Sequence, residues 1–195
     1  MMTGKKNEYQ NFDALSKAER EGINFRICVG KKKSSVSIIA PHGGNIEPKT
    51  SLIAAAIAGS SFNLYCFDGL KSARADMTLH ITSHVFDEPK CLALISACDA
   101  VVSVHGLCGK GKTIEVGGLD FVLRDQVCRH LKLAGFKAKA VNSGNHAAIS
   151  KSNICNRGRS AKGIQLEITR GLRDTLNGPR LAKFANAVRE AIKNT

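Results

Sequence analysis

Short runs rich in branched and aromatic residues alternate along most of this chain with runs of helix formers, and that alternation most constrains its fold. Strands that pair in parallel need long crossovers, usually helical. The pattern therefore predicts an α/β fold: a single-domain sandwich with one mixed sheet and helices on both faces. INFRICVG and SVSIIA read as strands, SLIAAAIAG after Thr50 as a helix, and FNLYCFD as the next strand. TLHITS is expected as a short strand and PKCLALISACD as a helix opening at Pro89. AVVSVH and TIEV are strands, and LDFVLRDQVCRHLKLAG is an amphipathic helix closed by Gly135. FKAKAV and GIQLEIT follow as strands, and GPRLAKFANAVREAIKN is the closing helix. Ahead of all these, Asn11 is placed to cap a helix with Phe12, Leu15 and Ala18 on one face, stopped by Gly22.

With 195 residues and 43% hydrophobic content, one core suffices, and no linker or internal repeat divides the chain. A single domain over 1–195 is expected, with residues 1–8 flexible. No run of about 18 apolar residues occurs and the N-terminus lacks a secretory apolar stretch, so a soluble chain made in the cytoplasm is expected, off the membrane. Seven cysteines, an odd number without a CxxC pair, read as buried reduced thiols. The formal charge of +13 favours a polyanionic partner: nucleic acid, an anionic membrane or an acidic polymer.

A hydrolytic zinc centre needs three nitrogen or oxygen ligands, an open position for water, and a nearby carboxylate to take that water's proton. His42 and Glu47 lie together in PHGGNIE at the end of one expected strand, and His105 lies at the end of another. Glu167, between Leu166 and Ile168 in an apolar strand, is a carboxylate in need of a partner or a task. Taken singly, each has a plainer reading: a hydrogen-bonded structural histidine, or a surface charge.

PHGGNIEPKTSLIAAAIAG, NLYCFDGLK, LHITSHVFDEP, VSVHG, VGGLD, NICNRG and GIQLEITRGLR together, in that order, resemble the poly-γ-glutamate hydrolase family, a phage and bacterial group related to zinc carboxypeptidases. The likeness runs from about Tyr9 to Arg173. It implies a single catalytic domain of carboxypeptidase-like fold, one zinc ion per chain, and hydrolysis of γ-glutamyl amides. By position, His42, Glu47 and His105 match the ligands and Glu167 in QLEIT matches the general base. Poly-γ-glutamate carries a carboxylate on each residue, so cations are expected around the cleft: Arg157, Arg170, Arg173 and Lys71, with His80 as a further lining residue. The family pattern reads closer to PHGGGIE. Asn45, Lys49 and Leu52 depart from it here, Asn45 being able to take a positive φ, and His84 stands in place of a Thr without an assigned role. A monomer is expected, and lysis of the producing cell is one route to an extracellular polymer.

Two other readings have their own features. GLCGKGKT satisfies the phosphate-loop pattern GxxxxGK[ST] after a strand, but that loop needs a helix starting at its Lys-Thr, and the TIEVGG that follows is strand-like. A basic nucleic-acid-binding domain would interleave cations with stacking aromatics; aromatic content is 5% with no Trp, so the stacking half is missing.

Overall fold

The computed structural model describes residues 9–72 and 76–195, so the first eight residues, expected to be flexible, lie outside the described residues. In chain order the strands are β1 (Phe25–Gly30), β2 (Val36–Gly44), β3 (Asn63–Gly69), β4 (Ala100–Leu107), β5 (Thr113–Gly118), β6 (Lys137–Ala140) and β7 (Ile164–Thr169). The helices are α1 (Phe12–Ala18), α2 (Thr50–Ala58), α3 (Pro89–Ile95), α4 (Phe121–Leu133), α5 (Arg170–Arg173) and α6 (Gly178–Lys193). One seven-stranded mixed sheet has the spatial order β1-β3-β2-β4-β7-β5-β6. Its centre, β3-β2-β4-β7, is parallel, while β1 is antiparallel to β3 and β5 to β7.

Each face of the sheet carries its own core. On one, Ile53 and Ile57 of α2, Val127 and Leu131 of α4, and Phe184 and Val188 of α6 pack on Ile38, Val102, Val104 and Leu166. Helix α2 buries Thr50, Ile53, Ala54, Ile57 and Ala58, the three-and-four spacing that lays one helical stripe on a sheet. On the other face, Leu15 of α1 and Cys91, Leu94 and Ile95 of α3 join Leu79, Ile81, Phe86 and Ile154 over Phe25, Ile39, Tyr65, Phe67 and Val101. The expected α/β sandwich with helices on both faces is thus the observed fold.

The crossovers fix where a site can form. The connection from β2 through α2 to β3 covers one face, and that from β3 through α3 to β4 covers the other and lands on the opposite side of β2. The carboxyl ends of β2 and β4 therefore flank a topological switch point, where parallel sheets leave a crevice.

Several expectations are corrected. TLHITS is no strand: a 3-10 turn covers Asp76–Leu79 and the rest is irregular. Its alternation is real, since Leu79 and Ile81 plug the core while His80 and Thr82 face the cleft, but the segment lies over the sheet and pairs with no strand. Helix α1 takes its cap from Asn11, whose side chain accepts from the Ala14 N–H, and ends at Ala18, before Gly22. The short α5 after β7 was not foreseen. At GLCGKGKT no helix begins: β5 starts at Thr113 and runs antiparallel to β7, and the next helix opens at Phe121. Gly171 underlies this loop, and a Cβ there would strike the Lys110 carbonyl. All seven cysteines are free; Cys66, Cys91, Cys98, Cys128 and Cys155 are buried, Cys28 partly so, and Cys108 is exposed. Among the described residues no helix is long and apolar enough to cross a membrane.

Candidate metal centre and active-site cleft

His42 sits near the end of β2, within a bulge between Ala40 and Gly43 that breaks the register with β3. Bulges beside sites re-aim side chains, and this one sets the imidazole toward the cleft. The following glycines answer to close packing. A Cβ on Gly43 would collide with the Ser51 hydroxyl and the Asp68 carboxylate, and Gly44 takes φ +63° against the backbone of Gly69. The positive φ thus falls on Gly44 and Lys49 rather than on Asn45, whose side chain instead donates to the Lys71 carbonyl. The chain then turns back. The Glu47 N–H donates to the His42 carbonyl at 2.9 Å, and the Thr50 hydroxyl donates to the same carbonyl at 3.2 Å. One tight turn therefore places the Glu47 carboxylate beside the His42 ring.

The donors converge. His42 Nδ1 lies 3.3 Å from Glu47 Oε1, and His105 Nδ1 lies 3.1 Å from His42 Nδ1 and 3.8 Å from Glu47 Oε2. His80 Nε2 stands 3.9 Å from Glu47 Oε1, its ring 4.0 Å from that of His42 between centroids. The ligand atoms of His42, Glu47 and His80 all lie within 4.8 Å of one another. Outer contacts hold these groups. His42 Nε2 meets the Ile81 carbonyl at 2.7 Å, which can only accept, so Nε2 carries a proton and Nδ1 is the nitrogen left for a second proton or a cation. His105 Nε2 meets the Ser103 hydroxyl at 2.7 Å, and Glu47 Oε2 accepts the Gly106 N–H at 2.7 Å. Two ring nitrogens 3.1 Å apart beside a carboxylate form a donor set that calls for a shared proton or a cation, and it fits a divalent metal with nitrogen and oxygen ligands.

The electrostatics agree with one shared positive charge. Burial would raise the Glu47 carboxyl, but His42, with His105 and His80 beyond it, holds it at about 2. Burial also disfavours charge on His42, yet Glu47 offsets this and the net shift is upward. His105 is lowered to about 3 by burial and the His42 charge, and His80 to about 3 by the His42 charge and then by burial.

Glu167 enters from the neighbouring strand. In the parallel pairing of β4 with β7 it lies opposite His105, and in the antiparallel pairing of β7 with β5 it lies opposite Glu115. Burial, then the charges of Glu47 and Glu115, push its carboxyl up to about 8, against a hydrogen bond from Gln165. His42, Glu47, His80, His105 and Glu167 line a single cleft of about 370 Å³, together with Thr82, Ser83, His84, Asn145, Asn153 and Gln165.

The expected cations do not line the cleft. Arg157 donates to the Phe86 carbonyl, Arg170 pairs with Asp174 in solvent, and Lys71 pairs with Glu19. Arg173 is buried behind Gly106, donates to the Ile168 carbonyl, and has an Nε without a partner. Among the described residues no Lys or Arg lines the cleft. Sequence reasoning missed Ser103 and Gln165, although each precedes a singled-out residue by two in a strand and so shares its face.

Comparisons with known proteins place the chain in a family. A family model described as poly-γ-glutamate hydrolase matches residues 9–189. YndL of Bacillus subtilis (strain 168) is 37% identical over 171 residues, 87% of this chain and 67% of YndL. The structure of a bacteriophage poly-γ-glutamate hydrolase superposes with a TM-score of 0.91 at 30% identity, covering 97% of this chain and 98% of that one. A zinc-free structure of YndL superposes with a TM-score of 0.88 at 32% identity over the same shares. With nearly its whole length matched in sequence and in fold, the chain belongs to the poly-γ-glutamate hydrolase family.

Proposed function

We propose that this chain is a zinc-dependent hydrolase of the γ-glutamyl amide bonds of poly-γ-glutamate. The observation that carries this reading is the meeting of His42 Nδ1, His105 Nδ1 and the Glu47 carboxylate at one end of a cleft, with Glu167 in register beside His105. The YndL structure, described as zinc-free, supports the choice of metal, since that chain superposes closely on this one. His105 is the third ligand in this reading. It is buried and anchored by Ser103, whereas His80 is more open to the cleft and better suited to touch substrate.

When bound, zinc supplies Lewis acidity to the amide carbonyl and to a water molecule. The chain's own residues do the rest. His42 and His105 are kept in one orientation by the Ile81 carbonyl and the Ser103 hydroxyl, and Glu47 by the Gly106 N–H. Glu167 takes a proton from the attacking water and returns it to the leaving amine nitrogen, and a pKa raised towards neutrality suits both transfers. Arg157, Arg170, Arg173 and Lys71 are engaged by protein acceptors, so we assign the substrate carboxylates to His80, His84 and Asn145 at the cleft, with the +13 charge drawing the polymer in.

The test is metal analysis of the purified protein together with electrophoretic sizing of poly-γ-glutamate. About one zinc per chain, and shortening that stops on chelation and returns with zinc, are expected. Shortening that persists in metal-free protein would defeat the reading.

A further inference from the structure

Three buried amides stand in line behind the Glu167 carboxylate. The Cys155 N–H donates to Asn153 Oδ1 at 3.1 Å, Asn153 Nδ2 donates to Gln165 Oε1 at 3.1 Å, and Gln165 Nε2 donates to Glu167 Oε1 at 2.8 Å. Side-chain amides are ambiguous in sense when seen alone, because their oxygen and nitrogen can exchange places. Here the ambiguity is removed by a backbone group. A main-chain N–H can only donate, so Asn153 must turn its oxygen to Cys155 and its nitrogen to Gln165, and Gln165 must then turn its nitrogen to Glu167. Both amides are almost wholly buried, Asn153 at 2% exposure and Gln165 at 4%, so water cannot take over these roles.

The start of the line is itself fixed. Asn153 caps the 3-10 turn Ile154–Asn156, and the Ile154 N–H donates to the Ser83 carbonyl at 2.8 Å, tying that turn to the segment that lines the cleft beside His80. Gln165 is held by β7 itself, two residues before Glu167 and on the same face.

We infer that Asn153 and Gln165 are positioning residues for the base: a donor relay whose sense is set by the Cys155 amide holds Glu167 Oε1 and leaves Oε2 to exchange protons at the cleft. This rests on Glu167 being the base. Among the described residues Oε2 accepts no hydrogen bond, which suits an oxygen reserved for water. The relay also answers an electrostatic need. The charged groups around Glu167 are Glu47 from the β2–α2 turn, Glu115 from β5 and Arg173 from α5. Two of the three are carboxylates, so a fixed donor is needed to keep Glu167 able to lose its proton and to stop its carboxyl group from rotating.

The decisive variant is N153D. An Asp still accepts from the Cys155 N–H and still caps the turn, so a purely structural role survives. It cannot donate, so Gln165 is driven to reverse its amide and present an oxygen to Glu167. Expected in the zinc-loaded enzyme is a fall in kcat of roughly 10–100-fold with KM within about twofold, and Q165M should match it. The double variant should be no worse than either single one, because both break the same line. In the metal-free protein, carbon-13 NMR titration of the Glu167 carboxyl should show its pKa about one unit or more higher in N153D and also in Q165M, which loses the same charge-assisted hydrogen bond without adding a charge. A wild-type kcat and an unmoved Glu167 titration in a folded N153D would overturn the relay. E167Q separates the two levels: an inactive E167Q with an unaffected N153D sinks the relay alone, whereas an active E167Q removes the base and the relay with it.

Discussion

The two ends of the cleft are held in different ways. At the metal-donor end, two of the three donors lean on backbone: His42 on the Ile81 carbonyl and Glu47 on the Gly106 N–H. His105 leans instead on side chains, the Ser103 hydroxyl at 2.7 Å and the Ser83 hydroxyl at 3.4 Å. At the base end, Glu167 is held by Gln165, itself oriented by Asn153, and faces two other carboxylates. Backbone contacts survive substitution of the residue that supplies them, whereas side-chain contacts do not. The donor end is thus built to persist, and the base end can be tuned by changing one amide.

The largest effect that can break this contrast is removal of a donor. H105A should lose stoichiometric zinc and all measurable polymer shortening, while H80A should keep its zinc, as read by metal analysis of dialysed protein. Retention of zinc by H105A together with its loss from H80A would exchange the roles of these two histidines. Next comes the nearer of the two hydroxyls that support His105 at the donor end. S103A should weaken zinc binding by about 10–100-fold in competition with a chelator, the size usual for an outer partner of a metal-bound imidazole.

A smaller effect reports on the base end in the chelated protein. The Glu167 carboxyl is raised in the folded chain to about 8 from an ordinary 4.5. Below pH 4.5 both folded and unfolded forms hold the proton and nothing is lost. Between 4.5 and 8 only the unfolded form ionises, so stability falls as pH rises, and above 8 the penalty is complete. E167Q should therefore unfold like the wild type at pH 4 but be more stable at pH 9 by about 1–3 kcal/mol, a figure below the full shift because the carboxylate is partly exposed. Denaturant melts at the two pH values check the sign. The smallest effect belongs to the rim: R170A, which breaks an exposed pair with Asp174, should change stability by less than about 0.5 kcal/mol and KM by less than about twofold.

Much of this was legible beforehand because it depends on period and on local chemistry. Strand runs such as AVVSVH and GIQLEIT alternate apolar with polar residues in a sheet covered on both faces, and their ends carry His105 and Glu167. The candidate donors could be read off because imidazoles and carboxylates at the ends of parallel strands have few plain uses. What was not legible depends on three-dimensional neighbours. TLHITS alternates like a strand but packs over the sheet, with the Ile81 carbonyl committed to His42. Arg157, Arg170, Arg173 and Lys71 could be named as cations, yet nothing in the chain's order says that Phe86, Asp174, Ile168 and Glu19 would claim them.

The irregularity in β2 has a consequence of parity. Ile38 and Ala40 face the α2 side and Ile39 the other, so strict alternation would send His42 into the α2 side as well. Between the pairs Ala40 with Cys66 and Gly43 with Asp68, β2 advances three positions while β3 advances two. That one surplus residue swaps odd for even, and the imidazole emerges on the open side of the sheet. Whether this ring can reach a cation is thus decided by counting, since the same residues in unbroken alternation would turn the ring into the α2 side, among Ile53 and Ile57, instead.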